Sequence, residues 1–169
     1  SAGTWSRLRL AGTEPSGKLR ASGGKTTMDI RKFKDAIAKR ECTNDEAYWE
    51  VEKCWDDLVG ILCEDMPGTI RYLYTECTAR EFAFLSEVLD EAVAHVPDRD
   101  FIRALRYLAE KYPEENSMCQ ITPLIDPAQC LIDAIEAQNW PLVKSVAPYI
   151  SEKFLHEWLV SHGRLRKPQ

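Results

Sequence analysis

The chain has 169 residues, 44% of them hydrophobic and 29% charged, with a net charge of −5. That length and composition fit one globular domain with a real core and exclude a disordered or fibrous chain. Apolar runs are short, as in Leu58-Val59-Gly60-Ile61-Leu62-Cys63, and fall well below the ~20 residues that cross a bilayer, so no membrane association is expected.

Charge is unevenly spread. Residues 1–27 carry Arg7, Arg9, Lys18, Arg20 and Lys25 against Glu14 alone, a net +4, which leaves −9 for the rest. An acidic body repels phosphate backbones, so nucleic acid is not an expected ligand and a basic protein partner is. Segment 1–27 also holds five of the eight glycines and shows no helical period. It reads as a flexible basic leader, dispensable for folding. Its Arg- and Ser-containing composition faintly resembles a transit peptide, but Met28 makes a natural start, so an over-long reading frame or expression remnant is the preferred account.

From Met28 the chain reads as a single helical domain over 28–169. Ile30, Phe33 and Ile37 give a first short helix over about Asp29–Arg40. Thr43-Asn44-Asp45-Glu46 reads as a capping box that opens a helix to about Glu64, with Val51, Trp55, Leu58 and Leu62 inward. Pro67 suits the start of the next helix, which carries Ile70, Leu73, Tyr74 and Cys77. A second box, Thr78-Ala79-Arg80-Glu81, opens a long helix to about Val96 with two apolar faces, which belongs between neighbours.

Pro97 stops that helix and Asp98 caps one with Phe101, Ile102, Leu105, Leu108, Ala109 and Tyr112 inward, ended by Pro113. Residues Glu114–Ile125 lack a period and read as a loop. Asp126-Pro127 reads as an N-cap with proline behind it, leading Leu131, Ile132 and Ile135 inward. Asn139 and Ser151 cap two final helices, one with Trp140, Val143 and Val146, the other with Phe154, Leu155, Trp158 and Leu159. Gly163 ends the last before a basic tail, Arg164–Gln169. No stretch alternates with period two. The expected fold is all-α, an orthogonal multi-helix bundle or short α-solenoid of about seven to eight helices joined by short turns.

The six cysteines form no CxxC pair and no zinc spacing, and most fall in helices, so they read as reduced structural thiols in a cytoplasmic protein. Nucleotide, P-loop, HExxH, GxSxG and EF-hand signatures are all missing. Among the three histidines, His95 follows Glu91 and His156 follows Glu152 at four-residue spacing. One such pair is weak support for a metal, which needs three or four converging ligands, and helix-end placement accounts for both. No catalytic, cofactor or metal residue is assigned and no enzymatic activity is expected.

Aromatic residues beside carboxylates are more informative. Tyr48 and Trp49 sit off the apolar stripe, next to Asp45, Glu46 and Glu50, in the manner of an interface for a basic partner; packing on the first helix is the plain alternative. The candidate partner-binding residues are Glu46, Tyr48, Trp49, Glu50, Glu87, Asp90 and Glu91.

The segments Glu81-Phe82-Ala83-Phe84-Leu85-Ser86-Glu87-Val88 and Leu108-Ala109-Glu110-Lys111-Tyr112-Pro113-Glu114-Glu115 resemble small all-helical bacterial proteins, some similar to immunity proteins encoded beside secreted toxins. The resemblance spans about a third of the chain, from Thr78 to Glu115, through generic helical residues, and carries over no functional residue. It implies a non-enzymatic, toxin-binding role. The alternatives are a helical adaptor with another protein partner, and a metal-binding or enzymatic bundle around His95 or His156.

Overall fold

The computed structural model describes residues 28–148 and 152–161. Five of its helices start where a short polar side chain takes an otherwise unpaired first-turn amide. Asp29 accepts the Lys32 N–H at 3.0 Å and opens α1 (Ile30–Cys42). Asp65 accepts the Gly68 N–H at 3.3 Å and opens α3 (Met66–Thr75), with Pro67 in its first turn. Thr78 and Glu81 form a reciprocal box at the head of α4 (Ala79–Leu85). Asp98 does the same work for α6 (Arg99–Lys111), and Asn139 for α9 (Trp140–Val146). The remaining helices are α2 (Tyr48–Glu64), α5 (Leu89–His95), α7 (Pro113–Cys119), α8 (Thr122–Glu136) and α10 (Glu152–Ser161). Among the described residues the fold is an all-α multi-helix bundle with no strand.

Among the described residues there are ten helices, rather than seven or eight, through two departures from the sequence reading. The long helix expected over Thr78–Val96 is two. At residues 86–88 the chain tightens into bonds from residue i to i−3: Glu87 N–H to the Phe84 carbonyl (3.1 Å) and Val88 N–H to that of Leu85 (3.0 Å). The Ser86 hydroxyl bonds back to Ala83 at 2.5 Å, a competitor for helical bonding that neither Gly nor Pro announces. The second departure is Glu114–Ile125, read as a loop. Pro113 starts a helix rather than only ending one, and α7 is aperiodic because it buries no residue. Gln120, in the left-handed region at φ 51°, turns the chain into α8. There Asn116 accepts both the N–H (2.9 Å) and the hydroxyl (3.0 Å) of Thr122.

Two caps are corrected as well. Thr43 opens no box: its hydroxyl donates to the Lys39 carbonyl at 2.7 Å and it closes α1, two residues later than expected. Asn44 instead accepts the Glu46 N–H at 3.0 Å, and α2 starts at Tyr48 without a side-chain cap. Asp126 caps nothing; it accepts from Arg106 at 3.0 Å, and Pro127 lies inside α8, which begins five residues before it at Thr122. The Ser151 cap, Gly163, the leader 1–27 and the tail lie outside the described residues, as do the side chains of Phe154 and Trp158.

The main core gathers Phe33 and Ile37 of α1, Leu58 and Leu62 of α2, Leu73 of α3, Phe82 and Leu85 of α4, and Phe101, Leu105 and Leu108 of α6. A second, smaller cluster joins Ala94, Leu131, Ala134, Ile135, Val143, Leu155 and Leu159. Two helices belong to both. α5 gives Leu89, Ala92 and Val93 to the first and Ala94 to the second, and α8 gives Ile125, Ala128 and Ile132 to the first and Leu131, Ala134 and Ile135 to the second. Outside the apolar layer, Arg99 donates to Glu136 (2.9 Å) and Asp133 (2.5 Å), and Arg106 to Gln129 (2.8 Å), pinning α6 on α8.

Glu81, 5% exposed, is a buried carboxylate with three donors on its two oxygens. Its Oε1 accepts from Thr78 N–H (3.0 Å) and Tyr72 hydroxyl (2.7 Å), and its Oε2 from Lys34 Nζ (3.1 Å). Burial alone would push its pKa up, but Tyr72, Thr78 and Lys34 outweigh burial and hold it below the usual carboxylate value. A depressed carboxylate stabilises the fold above its unfolded-state pKa and loses that contribution as pH falls through the folded one. Glu81→Gln is therefore expected to cost about 2 kcal/mol at pH 7. In urea titrations the difference from wild type should shrink as the pH falls below about 4.5. An equal difference at pH 7 and pH 3 would contradict the assignment.

Candidate partner-binding site

Arg40 builds the corner between α1 and α2. It is 7% exposed, and its Nε and Nη2 donate to the two Glu87 oxygens at 2.8 and 3.1 Å. Nη2 also reaches Asp45 at 2.9 Å. Trp55, on the second turn of α2, donates its indole N–H to the same Glu87 at 2.7 Å. Burial works against the guanidinium's charge, and the bonds to Glu87 and Asp45 more than offset it, so its pKa is raised. One carboxylate thus ties together α1, α2 and the turn between α4 and α5.

The corner held this way carries Trp49, 79% exposed, the most exposed large apolar side chain among the described residues. Tyr48, 46% exposed, meets it edge-on with ring centroids 5.3 Å apart, and its hydroxyl donates to Glu52 at 2.9 Å. Glu46 and Glu50 are exposed beside them. Four of the seven candidate residues are thus together on the surface, and packing on the first helix does not occupy Trp49.

The other three are not part of that surface. Glu87 turns inward to Arg40 and Trp55. Asp90 and Glu91 are 1% and 5% exposed, in the first turn of an α5 that buries every residue from Leu89 to Ala94. Asp90 Oδ1 accepts the Glu91 N–H at 3.0 Å. The cause is enclosure: α5 lies between α2 and α8 and is buried on all sides, so no register of its first turn leaves these carboxylates in solvent. Carboxylates in the first turn also face the positive end of the helix dipole.

His95 places its Nδ1 3.0 Å from the Glu91 carbonyl, so four-residue spacing brings it to the backbone rather than the carboxylate. Among the described residues no three His, Cys, Asp or Glu side chains are arranged to hold a metal. His156 lines a shallow cavity of about 370 Å³ with Trp140, Lys153 and Glu157. All six cysteines are free thiols, and burial pushes Cys63 and Cys77 up to about 12, which makes them poor nucleophiles. No described helix is long and apolar enough to cross a membrane.

Sequence reasoning missed Arg40, Trp55 and Glu52 as the groups that hold the corner. An arginine one turn from the end of an amphipathic helix, with an acidic loop behind it, was the available signal for Arg40. Nothing local marked Glu87 as its partner, 47 positions away. Comparison with protein-family models, with curated proteins and with solved structures gives no match.

Removing the guanidinium leaves the Glu87 carboxylate in a partly closed site with the Trp55 indole N–H but no cation beside it. Arg40→Met is expected to lower stability by about 3 kcal/mol in urea unfolding, and Arg40→Lys by less. Burial holds His95 below its ordinary pKa, against the pull of Asp56, so the unfolded chain takes up this proton first. Stability should therefore fall as pH drops through about 6.5, and His95→Gln should flatten the profile between pH 7 and 5. An unchanged slope would remove His95 from the account.

Proposed function

We propose that this chain is a non-enzymatic protein-binding module that engages a basic partner through the corner formed by Glu46, Tyr48, Trp49 and Glu50. The partner in this reading is a secreted toxin domain, neutralised in the manner of bacterial immunity proteins within the cytoplasm. The observation that supports it is the nearly free Trp49 braced on Tyr48 and flanked by exposed carboxylates. Burying a tryptophan removes about 150 Å² or more from water, worth roughly 4 kcal/mol before ordering costs. Tyr48 adds a rigid amphipathic edge, and the carboxylates steer cationic partners, an effect that salt suppresses. The segments of α4, α6 and α7 that resemble immunity proteins favour the toxin as partner.

One observation favours the adaptor reading. A second exposed aromatic pair, Tyr74 and Tyr107 on α3 and α6, lies with centroids 5.1 Å apart, and Lys111 stands over the rings of Tyr107 and Tyr112. Two adhesive patches of unlike charge suit a protein that joins two partners.

The test takes the secreted protein encoded beside this chain's gene and measures its toxicity with and without the chain, then association rates. Trp49→Ala should weaken binding about thirtyfold, as for an interface anchor. Glu46→Lys with Glu50→Lys should slow association about tenfold and reduce its salt dependence. Circular dichroism should be unchanged, because Glu46 contributes only backbone groups to the turn, its N–H to Asn44 and its carbonyl to Tyr48. A toxin indifferent to the chain overturns the immunity reading; rates indifferent to these substitutions overturn the site.

A further inference from the structure

We infer that the groove between α1 and α2 is a seat for an amphipathic helix of the partner, one flank of that helix cationic and the other anionic. The inference extends the binding site just proposed and rests on it. The groove has a volume of about 480 Å³ and opens to solvent. The short connection at residues 43–47 makes α1 and α2 an antiparallel pair, so Lys32 lies at the Glu64 end and Lys39 at the Asp57 end. One wall therefore presents Lys32 and Lys39, on either side of Asp35, and the other presents Asp56, Asp57 and Glu64. Among the described residues no ion pair joins the two walls. The walls differ in sign, the α1 wall carrying two lysines against one aspartate and the α2 wall three carboxylates.

The floor between the walls is small and apolar. Ala36 and Ile61 are half-buried, and Gly60 lies exposed inside α2, one turn before its end. A glycine inside a helix costs about 1 kcal/mol relative to alanine. Nothing inside this fold requires it, because a Cβ at position 60 would meet no atom within 4 Å. A close approach from outside accounts for the missing side chain. The groove also continues into the exposed corner. At ~100° per residue, Trp49, Lys53, Asp56 and Gly60 fall within about 60° of one another around α2. The 17 residues of α2 span about 25 Å, room for four turns of a docked helix. Helix-in-groove docking uses an apolar stripe for affinity and flanking charges for register. Here the stripe would meet Ala36, Gly60 and Ile61, with basic residues toward α2 and acidic ones toward α1.

The test uses the full chain and three fluorescein-labelled 21-residue helical peptides that share one leucine stripe. The first carries arginine on one flank and glutamate on the other, the second arginine on both, the third glutamate on both. Anisotropy at low salt should show the mixed-flank peptide binding at least tenfold tighter than either single-sign peptide. Gly60→Trp fills open space and should weaken it at least tenfold with the thermal midpoint held. Should that variant misfold, Lys32→Glu with Lys39→Glu, both exposed, serves instead and should transfer the preference to the all-arginine peptide. Tightest binding of the all-arginine peptide to the wild type, insensitive to these substitutions but lost in Trp49→Ala, overturns the groove and leaves the basic-partner corner standing. Mixed-flank binding lost in Gly60→Trp but untouched by Trp49→Ala supports the groove and counts against the corner. Binding of none of the three peptides overturns the groove.

Discussion

The geometry of the α1–α2 corner depends on a single half-buried carboxylate. Glu87 accepts from Arg40 and Trp55, and Arg40 also holds Asp45. Each partner comes from a different element, so the bonds fix α1, the connecting loop and α2 against the turn that ends α4. A charged pair in a closed site gains little over apolar packing of the same shape, because desolvation offsets most of the attraction. What it adds is directionality, since Arg40 presents a rigid planar fork. The loop it anchors has no other cap: Ala47 supplies no side-chain oxygen to the first turn of α2. Above the tied corner Trp49 stands in solvent, and Tyr48, half exposed, lies edge-on to it.

The same turn sets the layering of the molecule. Because α4 and α5 are separate, α5 can bury Leu89 through Ala94 on all sides, between α2 and α8. A continuous helix would have kept two apolar faces in a fixed angular relation. Broken, the segment lets Phe82 and Leu85 serve one side of the main core while Ala94 reaches the smaller cluster with α9 and α10. α8 performs the matching role from the other direction, and Arg99 and Arg106 hold it against α6 from the rim.

What was legible in the sequence follows the range of the interactions. Caps at Thr78, Asp98 and Asn139, the stripes of α2 and α6, and the all-α class depend on residues within four positions, and these were read correctly. The break at residues 86–88 was not, because its causes are a serine that back-bonds locally and a glutamate drawn to an arginine 47 positions earlier. Helix α7 was missed for a different reason: with no buried face it has no period to detect. Thr43-Asn44-Asp45-Glu46 met every requirement of a capping box, but Asn44 took the amide that Thr43 was expected to take. In the candidate site the exposed aromatic corner was legible from its composition. The burial of Asp90 and Glu91 was not, since it comes from the enclosure of α5 by α2 and α8, elements distant in sequence.

The exposed face of α2 carries two features that work against the isolated chain. Trp49 leaves apolar surface in water, and Gly60 weakens the helix that carries it. Asp56 adds a third: partial burial raises its pKa first, and crowding by Glu52 and Asp57 raises it further, against the pull of His95. Crowded like charges on one helix face oppose folding by a few tenths of a kcal/mol per pair. All three costs fall on one stripe of one helix, while α6 on the far side of the core is strongly amphipathic, with its outward arginines paired to acids. Costs scattered at random would not share a face. Local rules are broken together where a surface is shaped for something other than the stability of its own chain.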